Sequence, residues 1–175
     1  MYHLKLFVLP LGASLFGFSS GANVPDSFNL YAYGEGIGGY PIVYLNGIAY
    51  VGQQSQLNAS TPVARFTLSS NTLVANSNNT ADTDGFLNAT FFVPGPDNSS
   101  PQAGFVNGTP PATAVSTGWT FYGQTLLLVG SSGQWDGLFS AEPTEQDGIF
   151  SLNWNQTSDT AVQLSLRLTS PSSTV

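Results

Sequence analysis

Apolar and polar residues alternate one by one along most of this chain, the period of a strand with one buried face. In the run from Phe28 to Tyr33, Phe28, Leu30 and Ala32 fall on one side and Asn29, Tyr31 and Tyr33 on the other. Near the far end, Val162, Leu164, Leu166 and Leu168 alternate with Gln163, Ser165 and Arg167. Two further runs read the same way. Leu87, Ala89, Phe91 and Val93 turn Asn88 and Thr90 outward, and Phe150, Leu152 and Trp154 turn Ser151, Asn153 and Asn155 outward. No helical period lasts beyond about two turns, so the chain is predicted to be nearly all strand.

Tyr40 to Val51 has two strand-like arms about Asn46-Gly47, a pair that accepts the positive φ angles of a type I′ turn. Arg65 to Val74 and Trp119 to Val129 resemble it, each with an aromatic first arm, a small polar turn and an aliphatic second arm. Antiparallel hairpins in general share this look, which is also the mark of a weak internal repeat. The expected architecture is a single all-β domain, an antiparallel β-sandwich or barrel, with a β-trefoil-like arrangement as the alternative. First and last strands of clean alternation often pair to close such a fold. Pro94 to Thr117, rich in Pro, Gly, Ser and Asn, is the longest expected loop.

The first 22 residues change this picture, because they read as a secretory signal: Lys5, an apolar stretch from Leu6 to Phe18, and the small-residue exit Ser20-Gly21-Ala22. Pro10 and Gly12 interrupt the apolar stretch, which falls short of the roughly 20 residues of a spanning helix. Residues 23–175 are then the exported β domain, ending in a short polar tail from Thr169, with no membrane anchor expected. Six N-x-Ser/Thr sequons, at Asn58, Asn78, Asn88, Asn98, Asn107 and Asn155, fit an exported glycoprotein.

Composition then narrows the chemistry. The whole chain has a formal charge of −7 and no cysteine. Its single histidine, His3, and its single lysine, Lys5, both lie in the expected signal, so only Arg65 and Arg167 offset ten acidic residues in the exported part. Nucleic acid is excluded as an expected partner, since phosphate binding needs clustered Lys and Arg. A Ser-His-Asp triad, a cysteine nucleophile, a Schiff base and a histidine-ligated metal are excluded by the missing side chains. No cofactor or metal is expected. Asp82-Thr83-Asp84-Gly85 has the opening of a calcium loop but lacks the later ligands, and it reads as a turn.

Paired carboxylates on a glycosidic bond survive this elimination. Glu142, Glu145 and Asp147 are the densest acidic group, although their surroundings have the composition of an exposed turn. Aromatic side chains offer a second route to sugars, by stacking on their apolar faces. Tyr31, Tyr33, Tyr122, Trp135 and Trp154 are the candidate carbohydrate-binding residues. Tyr31 and Tyr33 belong to a crowd with Tyr40, Tyr44 and Tyr50, for which packing in the core of the fold is the preferred expectation.

Several segments together resemble a group of small secreted ascomycete proteins that includes the cell-wall protein PhiA. They are FNLYAYGEG from Phe28, AYVGQQSQLNAS from Ala49 leading into ARFTLSSNTLVA from Ala64, TGWTFYGQTLLLV from Thr117, and GQWDGLF from Gly133. The resemblance implies an exported fungal β protein of the wall or extracellular space and carries over no catalytic residue. The leading expectation is a secreted, N-glycosylated, non-enzymatic surface protein that binds wall polysaccharide. The alternatives are a carboxylate-dependent glycoside hydrolase and a secreted effector that binds a host protein.

Overall fold

The computed structural model describes residues 23–57, 61–78 and 86–172. The expected signal, the Asp82–Gly85 motif and Asn58 lie outside the described residues. Six strands close a barrel: β2 (Tyr31–Gly34), β3 (Ile37–Leu45), β4 (Ile48–Gly52), β13 (Phe139–Pro143), β14 (Ile149–Trp154) and β15 (Val162–Arg167). Around the circle they run β2–β3–β4–β14–β13–β15 and back to β2, each neighbour antiparallel. The first and last good alternating runs of the chain thus do pair, Ala32 opposite Leu166. The barrel is the more specific of the two expected all-β forms.

The intervening chain builds outward from this barrel. β5 (Ala64–Ser69), β6 (Thr72–Ser77), β7 (Ala89–Pro94) and β8 (Gly104–Val106) form an arc from β4 to β1 (Phe28–Asn29), which lies immediately before β2. β9 (Ala114–Val115) pairs with β7. β10 (Trp119–Tyr122), β11 (Thr125–Val129) and β12 (Trp135–Asp136) extend the other edge, β11 meeting β15 where Thr125 faces Arg167.

The three similar hairpins therefore occupy unlike places. Tyr40 to Val51 is a wall of the barrel, while Arg65 to Val74 and Trp119 to Val129 are parts of the arc and of the outer edge. A trefoil would give all three equivalent positions, so their likeness is one of turn chemistry. Asn46 and Gly47 have φ of 52° and 82°, and Ser70 and Asn71 have 48° and 60°, the left-handed pairs that a type I′ turn requires. Gly123, with φ of 58°, opens the third turn as a type II′ turn demands.

The core is one contiguous cluster in which aromatics dominate. Phe28, Phe66, Phe91 and Phe105 from the arc are linked ring to ring, Phe91 packs on Trp119 of β10, and Trp119 in turn packs on Phe139 and Trp154 of the barrel. Tyr44 stacks on Phe86 at 4.2 Å and Tyr40 packs against Phe150, so these two tyrosines take the expected core role.

Three local readings are corrected. Leu87 is 68% exposed, because Asn88 takes a φ of 51° and breaks the alternation; Phe86 enters the core in its place. Asn153, expected on an outward face, is only 2% exposed. The segment Pro101–Ala103 runs beside β14 and covers it, Trp154 N–H donating to Pro101 and Ala103 N–H to Leu152. The expected long loop from Pro94 to Thr117 contains β8 and β9 and buries Phe105. Gly104 allows this approach, since a Cβ there would lie 2.7 Å from the carbonyl oxygen of Gly47.

Candidate functional site: an aromatic face on the outer sheet

Residues opposite one another in an antiparallel ladder point to the same side of the sheet. Leu166 pairs with Ala32 and Leu126 with Phe121, and all four are buried. Their neighbours must then face outward. Tyr31 lies opposite Arg167, Arg167 opposite Thr125, and Thr125 opposite Tyr122, a single row across β2, β15, β11 and β10. Tyr33 follows Tyr31 by two positions on the same face, opposite Ser165. Trp135 lies opposite Val129, outward by the same count because its neighbour pair Leu128–Asp136 turns Leu128 into the core.

Four of the five candidate aromatics thus share one outer face. Tyr122 is 65% and Trp135 51% exposed, and their rings meet edge to face with centroids 6.1 Å apart. Tyr31 and Tyr33 are half-buried. Large aromatic surface left in water carries an unfavourable hydration cost that a ligand's apolar face relieves. Edge-to-face contact fixes the two rings without covering them.

Trp154 does not belong to this group. It is 8% exposed and packs edge to face on Phe139 at 4.8 Å and on Trp119 at 6.1 Å. It borders a cleft of about 690 Å³ together with Leu128, Asp136, Asn98 and Asn155. The alternation that placed Trp154 beside Phe150 and Leu152 is that of a core-facing strand, so the ring was claimed by the barrel interior.

The acidic group is dispersed in its roles. Glu145 and Asp147 are exposed in the turn joining β13 to β14. Glu142, half-buried on β13, accepts hydrogen bonds from Gln156 Nε2 at 3.0 Å, Ser158 Oγ at 3.0 Å and Thr160 Oγ1 at 2.9 Å. Those donors, Gln156 first, favour the ionised form and hold its pKa below the ordinary glutamate value. All three donors come from the connection between β14 and β15, so Glu142 fastens that connection across β13. Ser140 Oγ and Gln156 Oε1 are buried with no hydrogen-bond partner among the described residues.

A pH effect follows from this fastening. The folded pKa lies below the unfolded one, so the stabilisation is complete above the ordinary glutamate value of about 4.3 and is lost as pH falls through the lowered value. Melting temperatures of the wild type and Glu142→Gln, measured from pH 6 down to pH 3, should therefore converge at the acid end. A constant gap across that range would show that the carboxylate's charge does not fasten the connection.

The sequons fall mainly on open surface. Asn78, Asn88, Asn107 and Asn155 are exposed, while Asn98 is half-buried and accepts the Ser100 N–H at 3.0 Å. Among the described residues no three His, Cys, Asp or Glu side chains gather where they could hold a metal ion. The sequence pointed to the four surface aromatics as carbohydrate-binding candidates but not to Arg167 beside them. The signal was present in the last strand, where Arg167 falls on the polar side. Set against known proteins, the chain matches no family model, no curated protein and no solved structure.

Proposed function

We propose that this chain is a non-enzymatic, exported surface protein that binds polysaccharide through the outer face of β2, β15, β11 and β10. The observation that carries the reading is the common orientation of Tyr31, Tyr33, Tyr122 and Trp135, with Tyr122 and Trp135 more than half exposed. A row of rings offers apolar surface to successive sugar units, and hydroxyls of Thr125 and Ser165 on the same face supply hydrogen-bonding partners. The signal-like first 22 residues and the exposed sequons support export, and the resemblance to the PhiA group supports a fungal wall as the setting. The engagement of Glu142 with three donors favours an architectural role for that acid over hydrolysis. Retention of the protein on insoluble chitin, glucan and mannan and on immobilised acidic polysaccharides is the test. Binding to at least one that depends on Tyr122 and Trp135 is expected, and no retention on any would overturn the reading.

A further inference from the structure

We propose that the sugar recognised by this face carries an oxyanion, a carboxylate or a phosphate, and that Arg167 is its anchor. This rests on the polysaccharide-binding reading and assigns it a ligand class. The chain has a formal charge of −7, yet Arg167 has no acidic partner among the described residues. Its Nε donates to Ser165 Oγ at 3.0 Å, and its guanidinium carbon lies 5.3 Å from the centre of the Tyr33 ring. The Tyr33 hydroxyl is itself held, donating to the Thr169 carbonyl at 2.8 Å.

The guanidinium is thus oriented along one edge and over one face, while its two Nη groups have no partner among the described residues. A planar fork held this way matches the paired oxygens of a carboxylate or phosphate better than a mobile ammonium would. The surrounding cleft agrees. It measures about 680 Å³ and is lined by Tyr33, Gly38, Arg167, Thr169, Ser170, Pro171 and Ser172. Among the described residues that line it are one cation, several hydroxyls and no carboxylate. Gly39 keeps the segment after Thr169 close, since a Cβ there would come within 2.7 Å of Pro171 and 2.9 Å of the Tyr33 hydroxyl. Tyr31, opposite Arg167 in the ladder, offers a ring beside the charge for the sugar's apolar face.

The test compares polygalacturonate, a carboxylate-bearing polymer, and a phosphomannan with neutral glucan, neutral mannan and fully methyl-esterified pectin. The wild type should favour at least one acidic polymer over its neutral counterpart, and which one identifies the oxyanion. Arg167→Gln should weaken that binding about tenfold or more, the scale of hydrogen bonds to a charged group. Arg167→Lys should recover only part of it, because charge returns without the fork. Arg65→Gln, on β5 away from the row, should bind as the wild type does. Equal binding to acidic and neutral polymers, or acidic binding unchanged in Arg167→Gln, would overturn the oxyanion assignment while leaving the surface reading in place. Failure to bind every polymer would overturn both. Arg167 is exposed, so a melting temperature near that of the wild type verifies that each variant is folded.

Discussion

Trp119→Ala is expected to cost about 3–5 kcal/mol of folding stability, the range for removing a large aromatic from a packed interior. Few positions in the chain should cost more. The ring is fully buried and touches Phe91 of the arc at 5.5 Å and Phe139 and Trp154 of the barrel at 6.0 and 6.1 Å. Its backbone N–H donates to Asn71 in the turn between β5 and β6, and its carbonyl accepts from the Asn71 side chain. Deleting the indole therefore leaves a cavity where the barrel and the arc are joined. Against the roughly 5–15 kcal/mol that stabilises a typical domain, the loss is a large fraction of the whole. Trp119→Phe should cost distinctly less. It keeps a ring, and it removes an indole N–H that is buried without an acceptor among the described residues and so carries a desolvation penalty of about 1–3 kcal/mol. Chemical denaturation of the three proteins measures both effects. An alanine variant within about 1 kcal/mol of the wild type would contradict the view that this ring unites the core.

The second large effect concerns binding and should leave the fold unchanged. Tyr122→Ala combined with Trp135→Ala removes the two most exposed rings of the outer face. Neither contributes to the core cluster. Stability should change by less than about 1 kcal/mol, their mutual edge-to-face contact being worth about 0.5–1.5 kcal/mol and largely solvated here. Binding energy tends to concentrate in a few aromatic and arginine residues, each worth about 2 kcal/mol or more. The double variant should accordingly lose at least about tenfold in affinity for whichever polysaccharide the wild type retains. Undiminished binding would move the site away from this face.

How much of this was legible in the sequence depended on whether the information was local. The hairpin at Asn46-Gly47 was legible because the turn needs two positive φ angles and those two residues accept them. The pairing of β2 with the last strand, β15, was legible because Leu164 and Leu166 alternate without a break. By contrast, the strand at Gly104–Val106 has a single large apolar residue, too little to show a period, and depends on a glycine that lets another backbone approach. Leu87 was misassigned because one left-handed residue, Asn88, reverses the face of everything before it. Sequence alone offered Tyr31, Tyr122 and Trp135 as carbohydrate-binding candidates without placing them on one face. Only the register Tyr31–Arg167–Thr125–Tyr122 brings residues more than a hundred positions apart onto one row. Trp154 illustrates the converse, since a ring on an alternating strand has the same signature whether the strand faces a ligand or the core.

The central claim, that the outer aromatic face is the binding surface, is tested most directly by tryptophan fluorescence. Trp119 and Trp154 are buried, whereas Trp135 is half exposed, so acrylamide should quench essentially one of the three emitters. Saturation with a retained polysaccharide should protect that emitter, and Trp135→Phe should abolish both the quenching and its protection. A polysaccharide that binds the protein yet leaves Trp135 as open to acrylamide as before would contradict the account.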